Sequence, residues 1–209
     1  MSKIKFIYFD VGGVLIKDFS KTDKFNELLD DLGLNQIQKD NFIDRFSEKE
    51  DEICKGLLSC EVFLESYPEY SQFKLKGEYS LCQDFVDRFE LNTSIHGLVD
   101  QLTKKYKVGL LTNMYLGMLD KIKQRELLPS VKWDVEVDSS VVNLAKPHAE
   151  IFQLAQKLAK VEPGEILYID NTQKHLDAAK KEGWSVFLYD PADTERSTRE
   201  LLNFIEDIS

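Results

Sequence analysis

The chain is poor in the residues that staple small folds or hold structural metals. Its 209 residues include three cysteines, three histidines, five prolines and ten glycines. Cys54, Cys60 and Cys82 form no C-x-x-C pair. An odd number of thiols in a chain this long argues against a disulfide scaffold and for free thiols in a reducing cytoplasm. His96, His148 and His175 are scattered, with no zinc spacing among them. No Pro/Gly-rich linker, low-complexity tract or internal repeat is present. Long apolar runs are also missing. No stretch reaches the roughly 18 residues a spanning helix needs, and Asp10 cuts the run Phe6-Ile7-Tyr8-Phe9 too early for a signal-peptide core. A cytoplasmic location is expected. Positive charge is in deficit: 27 Lys and Arg stand against 37 Asp and Glu, a net of −10. Such a surface repels nucleic acid and anionic membranes, so neither is expected as a partner.

What is present is an α/β rhythm. With 43% apolar and 31% charged residues the chain reads as globular. Short Val/Ile/Leu/Tyr-rich runs at Lys5–Phe9, Val108–Thr112, Val131–Val137, Ile166–Ile169 and Ser185–Tyr189 predict strands. Three lack clean polar alternation, which suits burial on both faces of a parallel sheet. Amphipathic helices are predicted between them at 95–106 and 148–160, with Pro147 at a position a first helical turn tolerates. Alternation of this length implies right-handed crossovers and a three-layer, Rossmann-like sheet. From about Lys17 to Leu91 only helical patterns occur. Residues 1–16 and 92–209 are therefore read as the α/β core, and 17–91 as an inserted helical subdomain. Phe19, Phe25, Phe42, Phe46 and Phe63 are expected to fill the core of that insert. The acidity is uneven: residues 18–90 hold 18 acidic and 9 basic side chains, and the rest hold 19 and 18.

Four places at predicted strand ends or helix starts carry polar chemistry, and that edge of an open α/β sheet is where ligands bind. Asp10 ends the first strand and is followed by Val11-Gly12-Gly13-Val14-Leu15, where glycines permit a tight turn and close backbone approach. Thr112-Asn113 offers a hydroxyl and an amide after Leu110-Leu111. Lys146-Pro147 presents a positive charge just before a helix. Asp170-Asn171 follows Leu167-Tyr168-Ile169 and supplies oxygen ligands suited to a hard cation such as Mg²⁺. Each alone also reads as ordinary turn or capping chemistry.

Taken in order, Asp-x-Gly-Gly-Val-Leu, Leu-Leu-Thr-Asn, Lys-Pro and Ile-Asp-Asn resemble the motifs of the haloacid dehalogenase (HAD) superfamily of hydrolases. The insert falls where many members carry a helical cap. The resemblance implies a phosphatase of a small phosphorylated metabolite, with Asp10 as nucleophile forming an aspartyl-phosphate. It further implies Mg²⁺ held by Asp10, the Gly12 carbonyl and Asp170. Thr112 and the Asn113 backbone would hold a phosphoryl oxygen, and Lys146 would balance charge.

Two positions depart from the phosphatase pattern. Gly12 stands where a second Asp usually protonates the leaving group, a loss that typically costs ~10²–10⁴ in rate. Asn171 stands where a second acid is common. These departures keep open a weakly active domain that binds a ligand or a protein. A dehalogenase, attacking carbon without metal, fits less well: such members usually carry a bulky aromatic at the Gly12 position and Ser-x-Asn in the fourth motif. Asn143 stands where glycine is frequent.

Overall fold

The computed structural model describes residues 4–17, 23–67 and 79–208; Phe19 lies outside them. Seven strands and ten α-helices are found among these residues. In chain order they are β1 (Phe6–Phe9), β2 (Ile16–Lys17), α1 (Asp23–Asp31), α2 (Gln36–Cys54), α3 (Cys60–Glu65), α4 (Leu81–Arg88) and β3 (Glu90–Leu91). There follow α5 (Thr93–Leu102), β4 (Lys107–Thr112), α6 (Met118–Gln124), β5 (Val135–Asp138), α7 (Ser139–Val142) and α8 (Ala149–Ala159). The chain closes with β6 (Ile166–Asp170), α9 (Gln173–Lys181), β7 (Ser185–Leu188) and α10 (Thr194–Ile208).

Five strands form one parallel sheet in the order β5-β4-β1-β6-β7. Every residue of β1 and β6 is buried, which explains their unbroken apolar runs. Alternate side chains feed two cores. Ile7, Phe9, Val108, Leu110, Leu167 and Ile169 face one core, shared with α5, α10 and the helical insert. Phe6, Tyr8, Leu111, Val137, Ile166 and Tyr168 face the other, which is closed by Ile151, Phe152 and Ala155 of α8, Leu176 and Ala179 of α9, and Trp184. Gly109 in mid-strand makes the second core possible. A Cβ there would lie 2.7 Å from the Tyr8 ring and 2.9 Å from that of Phe6.

The helix predicted at 95–106 ends at Leu102, and two further boundaries move for local reasons. The fifth strand begins at Val135 rather than Val131, because Asp134 brackets Val108. Its N–H donates to the Val108 carbonyl at 2.8 Å, and its carboxylate accepts from the Val108 N–H at 3.0 Å. Regular pairing therefore opens at Gly109 with Val135. Pro147 precedes the first helical turn: His148 is the N-cap of α8, and the Lys146–Pro147 peptide is cis.

The insert leaves and returns through a two-stranded antiparallel ribbon that pairs Ile16 with Leu91. Its helices pack around an aromatic cluster in which Phe42 and Phe46 meet Phe63 edge-on at 5.4 and 5.2 Å. Phe25 stacks on Phe85 at 6.1 Å. Tyr115, from the loop after β4, joins the same cluster against Phe46. The end of α2 is tied to the segment after β5. The Ser139 hydroxyl donates to the Cys54 carbonyl at 2.5 Å, and Asn143 Nδ2 donates to the Lys55 carbonyl at 2.7 Å. Asn143 has φ of 56°, the left-handed region that glycine would also satisfy, and its amide adds the link to α2.

Candidate active site

Register places the polar strand ends together. Phe9 pairs with Leu110 on one side and Ile169 on the other, so Asp10, Thr112 and Asp170 emerge at one edge of the sheet. The turn after β1 is wound tightly: Leu15 and Ile16 N–H groups donate to the Val11 carbonyl, and Gly13 N–H donates to the Ile16 carbonyl. Asn92 holds it from outside by donating to the Val14 carbonyl at 2.7 Å. Gly13 takes φ of +77°, and the Asn171 amide packs against it where a Cβ would stand. Asn171 thus fills the space beside the first turn.

Lys146 is the hub. Its Nζ lies 3.0 Å from Asp10 Oδ1 and 2.8 Å from Asp170 Oδ2. It also donates to the Tyr168 hydroxyl at 2.8 Å and the Leu111 carbonyl at 3.2 Å. The Tyr168 hydroxyl in turn donates to Asp170 Oδ2. Asp170 Oδ1 accepts from the Thr172 N–H at 2.7 Å, and Asp10 Oδ1 from the Val11 N–H at 2.8 Å. Lys146 is placed by Asn113, whose amide grips its backbone at both ends: Oδ1 accepts from Lys146 N–H at 2.9 Å, and Nδ2 donates to Lys146 O at 3.0 Å. The Asn113 side chain is therefore committed to holding the lysine.

The electrostatics follow from burying two carboxylates with one ammonium. Burial pushes Asp10 up to about 7, against the pull of Lys146, and the Asp170 charge adds to the rise. Burial acts the same way on Asp170, but Lys146 and His175 outweigh it and hold that carboxyl below the usual range. Burial opposes the Lys146 charge, and the two carboxylates reverse this, holding the lysine protonated above its ordinary value. With two carboxylates on one ammonium, ionising Asp10 leaves the cluster one negative charge in excess, a state that a bound cation relieves.

Asp10, Gly12, Asn113, Lys146, Asn171 and His175 line one cavity of about 430 Å³. Its outer wall comes from Glu50, Asp51 and Cys54 of α2, together with Tyr115 and Lys174. Thr112 is fully buried beside the cavity, and its hydroxyl oxygen has no hydrogen-bond partner among the described residues. Of the residues singled out in the sequence, Asp10, Lys146 and Asp170 are in contact, Gly12 and Asn113 border the same space, and Thr112 lies behind it.

Two residues escaped sequence reasoning. Tyr168 sat inside an apolar strand run, with nothing to mark its hydroxyl. His175, at the start of α9, reaches back so that Nδ1 lies 3.1 Å from Asp170 Oδ2. Burial lowers its pKa, with the Asp170 hydrogen bond opposing. Its only signal was its place five residues after a strand-ending Asp. The donor atoms of Asp10, Asp170 and His175 lie within 4.8 Å of one another. This buried set with its surplus negative charge fits a divalent cation.

A family model for the haloacid dehalogenase-like hydrolases matches residues 4–183. Bifunctional epoxide hydrolase 2 of Sus scrofa is 31% identical over 106 residues, which cover 47% of this chain and 18% of that protein. Among solved structures, a HAD family enzyme of Bacteroides thetaiotaomicron in complex with magnesium and inorganic phosphate superposes with a TM-score of 0.71. It is 22% identical, covering 89% of this chain and 94% of that one. A 2-haloacid dehalogenase of Pseudomonas syringae pv. Tomato gives a TM-score of 0.64 at 14% identity, covering 99% of this chain and 100% of that one. Likeness at these identities is likeness of fold, shared by magnesium-binding and dehalogenating members alike.

Proposed function

The chain belongs to the haloacid dehalogenase-like hydrolase family, and on that footing we propose a Mg²⁺-dependent phosphatase of a small phosphorylated metabolite. The observation that carries this reading is the charge balance of the buried cluster. Two carboxylates share one lysine, and Asp10 and that lysine line a cavity, which suits a site that works with a cation present. Asp10, the Gly12 carbonyl and Asp170 would hold Mg²⁺, which when bound offsets the charge of the phosphoryl group.

Asp10 is the nucleophile in this reading. Val11 N–H and Lys146 both engage its Oδ1, which leaves Oδ2 to attack phosphorus. The Asp10–phosphorus bond forms as the ester P–O bond breaks, and water later cleaves the acyl phosphate. Lys146 draws Asp10 toward its ionised form against the effect of burial and offsets phosphoryl charge. The Thr112 hydroxyl, which has no partner among the described residues, would serve as donor for a phosphoryl oxygen once a ligand opens the way to it. Gly12 offers no proton to the leaving group, so esters with good leaving groups turn over best.

The same glycine favours a second reading, a weakly active domain that binds a ligand or a protein. One assay separates the readings. Purified protein with Mg²⁺ hydrolyses an activated aryl phosphate, and Asp10→Asn and EDTA each abolish this. Activity that survives in Asp10→Asn removes Asp10 as nucleophile. No activity on any phosphate ester leaves the binding reading. Halide release from a 2-haloacid in EDTA would instead reveal a dehalogenase.

A further inference from the structure

His175 bears on which cation the site prefers. It lines the same cavity as Asp10 and Gly12, and like Asp10 and Asp170 it is buried. One donor atom from each of the three lies within 4.8 Å of the others. Around a six-coordinate ion with bonds of about 2.1 Å, adjacent donors stand about 3 Å apart and opposite ones about 4.2 Å apart. His175 Nδ1 and Asp170 Oδ2, 3.1 Å apart, match adjacent donors, and the 4.8 Å bound on the remaining pairs lies just above the opposite spacing.

Their chemistry is not that of an all-oxygen site. Mg²⁺ is hard and takes oxygen ligands, whereas imidazole suits transition metals, which bind N/O sites in the order Mn²⁺ below Co²⁺ and Zn²⁺. We infer that His175 ligates the divalent ion through a ring nitrogen, making a two-carboxylate, one-imidazole site that favours Mn²⁺ or Zn²⁺ over Mg²⁺. This rests on the reading above that Asp10 and Asp170 hold a divalent cation, and it concerns the order of affinities alone: Mg²⁺ still fills the site where it is the abundant ion. The competing role is positional: His175 could serve Asp170 alone, through the 3.1 Å contact. His175→Asn separates the two roles, because the amide can still hydrogen-bond Asp170 but is a poor ligand.

The test is binding of the metal alone. Calorimetric titration of full-length protein with MnCl₂ and with MgCl₂ gives the ratio of affinities. Electron spin echo modulation of bound Mn²⁺ reports a coordinated imidazole through its ¹⁴N coupling. Wild type is expected to show that coupling and to prefer Mn²⁺. His175→Asn is expected to lose the coupling, with the Mn²⁺/Mg²⁺ ratio falling about 10-fold or more. His175→Asp should shift preference toward Mg²⁺. Mn²⁺ bound without ¹⁴N coupling in wild type overturns the inference while leaving the phosphatase reading intact, and this arm needs no variant to fold. Neither ion binding, with aryl phosphate hydrolysis persisting in EDTA, overturns the cation reading as well.

Discussion

The α/β core and the helical insert carry nearly equal numbers of carboxylates, 19 and 18, and use them in opposite ways. In the insert, acids pair with neighbours at the surface: Asp51 with Lys55, Glu52 with Lys49, Asp31 with Arg88. In the core Asp10 and Asp170 are withdrawn from water around one buried lysine. The insert supplies almost all the net charge of the protein. The core, close to neutral in sum, holds the charges whose environment makes them reactive. Net charge describes solubility and repulsion, while burial decides chemistry.

Removing the central cation should give the largest effect. Lys146→Met leaves two buried carboxylates facing each other without the ammonium between them, and breaking a buried pair in this way costs about 3–5 kcal/mol. Urea unfolding in EDTA measures it, and phosphate hydrolysis should be lost together with the stability. A loss no larger than that of a surface pair would erase the contrast between the regions.

A cation added to the wild type should act in the opposite sense, by a few kcal/mol at most. The folded pKa of Asp10 is raised to about 7, above its unfolded value near 4. Its contribution to stability is therefore fully present below pH 4 and is lost as pH rises through 7. Metal-free protein should weaken across that window. Mg²⁺ needs the ionised carboxylate, so the rise in Tm on adding Mg²⁺ should be larger at pH 8 than at pH 5. An equal rise at both would show that Asp10 is not where the ion binds.

The legibility of these features follows the same division. Asp10, Thr112 and Asp170 stood out because each ends an apolar strand run, and parallel register does the rest. Lys146 was readable from its proline and the helix after it, but not its depth, since most lysines are solvated. Asn113 was visible as a strand-end amide, yet only the fold shows it clasping the Lys146 backbone. His175 carries no local signal beyond its place after Asp170, because the histidines share no spacing with one another and its partners are carboxylates on other elements. The outer wall of Glu50, Asp51, Cys54 and Tyr115 depends on how α2 lies against the core, which no local pattern encodes.

Gly12 lets the core be altered without disturbing its packing. A Cβ there meets nothing within 4 Å, so Gly12→Asp has room to place a further carboxylate beside Asp10. It should raise turnover of an alkyl phosphate by about 10²-fold and that of an aryl phosphate far less, because only the poor leaving group needs the proton. Steady-state kinetics on both esters decide this. Equal gains on the two would mean the new acid acts through charge or metal binding instead of proton transfer.

The smallest expected effect belongs to the insert, and it repeats the substitution that is most damaging in the core. Lys39 is the insert's buried charge among the described residues. Its side chain is 10% exposed, and its ammonium lies 2.7 Å from Asp30, which is 63% exposed. Lys39→Met keeps a long unbranched stem in the place of the buried lysine stem. The partner left behind returns to water, so the change should stay within about 1 kcal/mol. Urea unfolding of Lys39→Met beside Lys146→Met compares one chemical change in two settings. If both lysines are buried to similar depth and only one substitution is costly, the cost lies in the carboxylates stranded without solvent, and the depth of the lysine itself is secondary.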